Sequence, residues 1–184
     1  VDKTAPSVFL STPAASAWNN SATPAFIFSF IDALANNASC TLYVNGSAYG
    51  TNAAVLNNTN TTLTANANLG NGVYNWNVNC TDLASNLGNA TVRTIYVDST
   101  KPTALINWVN ARTNSGNGTN NNTLRINFTG SDTNIVNWTL SVYNSTPVLV
   151  ATWNDSISNS SQVLSYTATK NGTYTVNISA RDNA

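Results

Sequence analysis

Asn71-Gly72-Val73-Tyr74-Asn75-Trp76-Asn77-Val78-Asn79-Cys80-Thr81-Asp82 is the stretch whose reading decides the fold. Tyr74, Trp76, Val78 and Cys80 alternate with polar residues, which is the period of a half-buried strand, and the Asn-Gly pair ahead of them signals a turn. The stretch returns 100 residues later as Asn171-Gly172-Thr173-Tyr174-Thr175-Val176-Asn177-Ile178-Ser179-Ala180-Arg181-Asp182. Val1-Asp2-Lys3-Thr4-Ala5-Pro6 likewise returns, 96 residues on, as Val97-Asp98-Ser99-Thr100-Lys101-Pro102. Two tandem modules are therefore expected, residues 1–97 and 98–184. Repeating a whole domain yields length or multivalency, whereas chemistry needs one well-made site.

Outward from that stretch, the strand signals stay short, alternating and punctuated by Asn, Gly, Ser and Pro. In the first copy they predict strands over Ser7–Leu10, Ala25–Ile31, Ser39–Asn45, Ala48–Thr51, Thr61–Ala65, Val73–Thr81 and Thr91–Val97. No stretch carries a helical period. So many strands in so short a module indicate an all-β fold of two tandem Ig-like antiparallel Greek-key sandwiches. Tyr74 and Tyr174 follow their Asn-Gly turns at a strand start, the place for a tyrosine whose hydroxyl bonds back to the preceding loop.

Composition narrows the function classes. The formal charge is zero and charged residues are 8% of the chain, against about 25% in a typical soluble protein. All seven acids are Asp, and His, Glu and Met are absent. Seven basic residues spread over two modules cannot track a phosphate backbone, so no nucleic-acid partner is expected. No apolar run approaches the length of a membrane span in this segment. An enzyme is not expected either, because the commonest general base is missing and both cysteines face a core.

The polar load is 33 Asn, 26 Thr and 19 Ser. Sixteen Asn-x-Ser/Thr triplets begin at Asn19, Asn37, Asn45, Asn57, Asn60, Asn79, Asn89, Asn117, Asn121, Asn127, Asn137, Asn144, Asn154, Asn159, Asn171 and Asn177. That is about twice what random order of this composition would give. The five that fall in predicted strands (Asn45, Asn79, Asn127, Asn137 and Asn177) all take the polar parity, as a glycan acceptor must. N-linked glycans are expected at several sites, solvating a surface that lacks charge and implying export. A Thr/Asn-rich β surface that happens to spell such triplets is the alternative.

Cys40 and Cys80 take the apolar parity of two separate strands and are expected to form a disulfide in an oxidising compartment; two buried free thiols are the alternative. In the second copy Cys40 aligns with Trp138 and Cys80 with Ala180, a large residue over a small one that can fill the same volume.

The segments Asp2 to Pro6, Cys40-Thr41-Leu42-Tyr43-Val44-Asn45-Gly46 and Asn71 to Asp82 resemble the tandem Ig-like repeats of archaeal and bacterial cell-surface and extracellular filament proteins. The resemblance covers the first copy and most of the second, where both cysteines are missing. It implies a β-sandwich fold and an extracellular, cell-surface location, with an archaeal source favoured by the density of triplets.

Six aspartates form two matching sets, Asp2, Asp32, Asp82 and Asp98, Asp132, Asp182. Each set occupies three points that lie at one pole of an Ig-type sandwich. The second set is expected at the junction of the copies, where three carboxylates suit Ca²⁺. Turn hydrogen bonds, or pairing with Lys101 or Arg181, are the alternatives. The second copy stops without its final strand, the counterpart of Thr91–Val97. The chain is therefore expected to be part of a longer array, or a self-associating subunit that takes a strand from its neighbour. Its expected role is structural. An adhesin-type module recognising glycan or another cell surface is the alternative, with Trp18, Tyr43, Tyr49, Trp108 and Trp153 as its exposed aromatic supply.

Overall fold

The computed structural model describes residues 2–110, 123–155, 161–170 and 172–184, with Trp108 and Asn110 described through their backbone alone. Two compact units divide it, residues 1–100 and 101–183.

The first unit contains β1 (Ser7–Thr12), β2 (Ala17–Asn19), β3 (Ala25–Ile31), β4 (Asn37–Val44), β5 (Ser47–Leu56), β6 (Thr61–Thr64), β7 (Gly72–Asp82), β8 (Leu87–Asn89) and β9 (Arg93–Val97). One sheet has the order β1-β3-β6 and the other β2-β9-β7-β4-β5, with β8 also paired to β7. Every pairing is antiparallel except the parallel contact of β2 with β9. The alternating residues read from the sequence form the core: Phe26, Phe28 and Phe30 of β3 pack with Leu42 and Val44 of β4 and with Trp76 and Val78 of β7. The rings of Phe26 and Trp76, from opposite sheets, lie 4.8 Å apart. Each such side chain contributes about 1.5–3 kcal/mol on burial, and period-two alternation delivers them all to one face.

Several boundaries differ from the sequence expectation for identifiable reasons. Asn45 does not end a strand; with φ values of 47° and 80°, Asn45 and Gly46 form the two-residue hairpin turn between β4 and β5. Both central residues of that turn need positive φ, which Asn and Gly tolerate. β5 runs on to Leu56, because its register against β4 shifts twice and the alternation is broken there. β2 and β8 are three-residue strands without alternation. Gly88 in β8 sits so close to the Pro6 backbone that no Cβ fits.

The second unit contains β10 (Thr103–Asn110), β11 (Thr123–Ser131), β12 (Ile135–Tyr143), β13 (Leu149–Asp155), β14 (Ser161–Thr167) and β15 (Thr175–Asp182). Its sheets have the orders β10-β11-β14 and β13-β12-β15. Ile126 and Phe128 of β11 pack against Trp138, Leu140 and Val142 of β12, with Phe128 edge-on to Trp138 at 4.4 Å. β7 in the first unit is flanked by β4 and β9, and its inward residues Trp76, Val78 and Cys80 are buried. Among the described residues β15 pairs with β12 alone, and its inward Val176, Ile178 and Ala180 are only half-buried. A strand with one neighbour leaves the flank of its core face uncovered.

Candidate functional site

The first acidic set meets at one pole of the first unit. Asp2 precedes β1, Asp32 follows β3 and Asp82 ends β7, and one carboxylate oxygen from each lies within 4.8 Å of the others. Each also serves its own turn. Asp2 Oδ1 accepts from Thr4 N, Asp32 Oδ1 from Leu34 N and Ala35 N, and Asp82 Oδ1 from Ala84 N and Asn86 N. Asp82 Oδ2 accepts from Asn86 Nδ2 at 2.9 Å. Burial pushes the Asp82 carboxyl up, but the Asn86 side chain and the backbone N–H groups of Asn86, Ala84 and Ser85 outweigh it, holding the group below its ordinary range. Asp32 is 6% exposed, and its Oδ2 is buried without a hydrogen-bond partner.

The second set divides between the units. Asp98 follows β9 in the first unit, is 1% exposed, and accepts from Asn71 Nδ2 at 2.6 Å and Thr100 N at 3.1 Å. Asp132 and Asp182 belong to the second unit, where a carboxylate oxygen of one lies within 4.8 Å of one of the other. Asp132 Oδ1 accepts from Asn134 N. Acidic groups are therefore present in both units, and turn hydrogen bonds of the anticipated kind are made by Asp2, Asp32, Asp82, Asp98 and Asp132.

Three residues organise local structure in ways that the sequence does not signal. Asn57 donates Nδ2 to the carbonyls of Asp32 and Ala35 at 2.6 and 2.9 Å and accepts from Asp32 N, pinning the Asp32 loop from 25 residues away. Asn71 ties Asp98, Ser99 and Thr100 together. The Arg93 guanidinium donates to the carbonyls of Leu10, Ser11 and Pro13, fastening the end of β1 to β9. In the sequence Asn57 reads as a glycan acceptor, Asn71 as a turn residue and Arg93 as a strand residue. Only the folded chain brings their partners within reach.

The triplet asparagines sort by what their amide nitrogen does. Asn45, Asn60, Asn89, Asn154 and Asn177 are exposed, while Asn19, Asn37, Asn79, Asn137 and Asn144 are half-buried. Asn19, Asn45 and Asn144 accept backbone N–H groups through Oδ1, the atom a glycan does not use. Asn57 and Asn127 differ. Asn127 donates Nδ2 to Ser161 Oγ and the Gln162 carbonyl, so in both residues the nitrogen that would carry sugar already has two acceptors. Asn117, Asn121, Asn159 and Asn171 lie outside the described residues.

Cys40 and Cys80 form the disulfide, directly opposite each other on the adjacent strands β4 and β7, with Cα atoms 4.1 Å apart. In the second unit Trp138 and Ala180 occupy the corresponding cross-strand pair. Both tyrosines bond back as expected, Tyr74 to the Gly70 carbonyl at 2.9 Å and Tyr174 to the Lys170 carbonyl at 2.8 Å. The exposed aromatic supply shrinks. Tyr49 packs on the first core and Trp153 on the second, Tyr43 is half-buried, and the Trp108 side chain lies outside the description. Trp18 is half-buried, stacked on Tyr96 with centroids 4.8 Å apart.

Residues 12–99 match the bacterial Ig-like domain family. No curated protein matches the chain. Among solved structures, it is similar to the fibronectin(III)-like modules of Clostridium thermocellum CbhA, at 15% identity and a TM-score of 0.46, over 96% of this chain and 86% of that one. The FN1-FN3 domains of chicken CNTN1 are similar at 12% identity and a TM-score of 0.47, over 97% of this chain and 63% of that one. A bacterial ice-binding adhesin is similar at 13% identity and a TM-score of 0.39, over 99% of this chain and 65% of that one. The chain thus spans under two thirds of the last two. No helix among the described residues is long and apolar enough to cross a membrane. The chain is a tandem pair of Ig-like modules, the first of them matched by the bacterial Ig-like domain family.

Proposed function

We propose that the chain is a structural, glycosylated Ig-like module pair of an extracellular surface protein or filament, assembling end to end with neighbouring domains or subunits. One observation carries this reading: the same sandwich is built twice with the same fittings, the back-bonding tyrosine and the cross-strand core pair recurring at matched positions. A duplicated unit supplies reach and repeated contact surface rather than a reacting centre, and Ig-like modules are typically non-catalytic. The half-covered face of β15 supports self-association, since a strand laid on it as β9 lies on β7 would complete the sheet. Glycans on exposed acceptors such as Asn60, Asn89 and Asn154 would supply the solvation that charge does not. Within the second unit, the proximity of Asp132 to Asp182 supports these two as the expected Ca²⁺ ligands there.

Negative-stain imaging of native material together with intact-mass measurement tests the proposal. Filaments or arrays with mass in hexose-sized steps above the bare polypeptide are expected; dispersed particles with no added mass would overturn it. Deleting residues 1–12 asks whether β1 is the strand that joins subunits, in which case polymers disappear.

Trp18 stacked on Tyr96 favours the adhesin reading to a lesser degree, as a half-exposed aromatic pair suits sugar rings. Glycan-array binding that is lost in Trp18→Ala would support it.

A further inference from the structure

Across the five-stranded sheet of the first unit, Trp18 of β2, Tyr96 of β9 and Val73 of β7 stand side by side on the face away from the core. Further along β7 the outward residues are Asn75, Asn77 and Asn79, with Thr94 of β9 beside Asn75 and Tyr43 of β4 beside Asn77. Every one of these side chains is uncharged. Arg93, the cation of β9, is committed to the carbonyls of Leu10, Ser11 and Pro13 at the end of β1. Asn75 Oδ1 accepts from Thr94 Oγ1, and Asn77 Nδ2 donates to Asn79 Oδ1. That leaves Asn75 Nδ2, Asn77 Oδ1, the Trp18 indole N–H and the hydroxyls of Tyr43 and Tyr96 without a protein partner among the described residues.

We propose that this face binds an extended, uncharged polysaccharide, laid from the Trp18–Tyr96 pair across β7 to Tyr43; the assignment deepens the adhesin reading above and rests on it. A sugar ring has an apolar C–H face that packs on an aromatic ring and a rim of hydroxyls that donate and accept. The sheet offers both, with aromatic rings at the two ends and amide groups between them. The Trp18 and Tyr96 rings are stacked at 4.8 Å and 21°, so each holds the other in place while both stay half-exposed. From the Tyr96 row to the Tyr43 row the sheet runs from Val73 to Asn77 along β7 and from β9 to β4 across it, a span of roughly 16 Å at ordinary strand dimensions. That distance suits several linked sugars and exceeds a single one. Charge decides the class of chain. A carboxylate drawn onto this face loses water and finds no cation in exchange, whereas a neutral hydroxyl finds amide partners. The same arithmetic disfavours an apolar protein surface, which would cover the Asn side chains without bonding them. The platform is also rigid, because β9, β7 and β4 are each paired on both sides, and a preorganised surface loses little on ordering its ligand.

A glycan array carrying neutral and acidic oligosaccharides tests the assignment, probed with the full 184-residue chain made in a host without N-glycosylation so that no sugar on Asn79 covers the face. Neutral chains longer than a trisaccharide are expected to bind, with monosaccharides and uronate- or sialate-bearing chains far weaker. In calorimetric titration with the strongest neutral binder, Trp18→Ala and Tyr43→Ala should each weaken affinity by about tenfold. Asn75→Ala, an exposed side chain whose loss leaves the core untouched, should weaken it several-fold. Phe9→Ala removes an equally exposed ring from the other sheet and should change nothing. Neutral binding undiminished in both Trp18→Ala and Tyr43→Ala would overturn this inference and leave the adhesin reading standing with its site elsewhere, as would a preference for acidic chains. No binding to any glycan would remove both. Self-association in sedimentation that Tyr43→Ala abolishes, without sugar binding, would give the face to a second copy and likewise overturn the assignment.

Discussion

At the scale of single residues, the protein relies on neutral side chains bonding to backbone across long sequence distances. Asn57 is the clearest case. Asn57→Ala removes three hydrogen bonds and strands two loop carbonyls, so a loss of about 1–3 kcal/mol in urea unfolding is expected. The same bonds predict that peptide mapping of native material finds sugar at Asn60 and none at Asn57. Gly88→Ala places a methyl where the Pro6 backbone already lies, and overpacking of that kind costs about 1–3 kcal/mol. Asp82 sets an acid limit. Its folded carboxyl titrates below the ordinary range, so its contribution to stability is complete above the unfolded pKa and is lost as pH falls through the lower, folded value. Melting temperatures measured downward from pH 5 should therefore fall more steeply for wild type than for Asp82→Asn, which has no carboxyl to protonate. Reading these residues from the chain was only half possible. Asp82 was legible as a strand-end aspartate, whereas Asn57 and Gly88 depend on partners that sequence order does not bring near.

At the scale of elements, the two copies use one register to solve the same packing problem twice. Cys40 faces Cys80 across β4 and β7; Trp138 faces Ala180 across β12 and β15. The bridge closes a loop with a sequence separation of 40, which in the chain-entropy picture stabilises by about 4 kcal/mol. Reduction should lower the stability of the first unit by roughly that amount in denaturant titrations. The equivalence also predicts that the double variant Trp138→Cys/Ala180→Cys oxidises to a new disulfide, seen as the loss of two thiols to a thiol reagent under denaturing conditions. Two thiols remaining after air oxidation would mean that the matching register does not carry over to matching geometry. Strand positions were largely legible because alternation is a local property. β2, β8 and the far half of β5 were not, since short pairings and bulges are fixed by the neighbouring strand rather than by the strand's own pattern.

For the whole molecule, stability is expected to be uneven. The first unit has a disulfide and a central β7 flanked on both sides, while β15 in the second has one described neighbour and a half-covered core face. Calorimetry of the 184-residue chain should resolve two transitions, with reductant lowering only the one that belongs to the first unit. A single transition that moves as one under reductant would refute independent units. Supplying a peptide patterned on Arg93-Thr94-Ile95-Tyr96-Val97 should raise only the other transition if the β15 edge accepts a strand as β7 accepts β9.

By itself the sequence determined the duplication, the all-β class, the facing of the core residues, the cysteine pair and both tyrosine back-bonds. These follow from a period of two, from comparison of one copy with the other or, for the tyrosines, from their place after an Asn-Gly turn, and none of these needs coordinates. Only the tertiary structure decided which asparagine amides are committed, which aromatics belong to a core, and that Asp32 keeps a buried oxygen without a donor. Those outcomes depend on distances between atoms far apart in the chain, and such distances arise only when the two sheets close on each other.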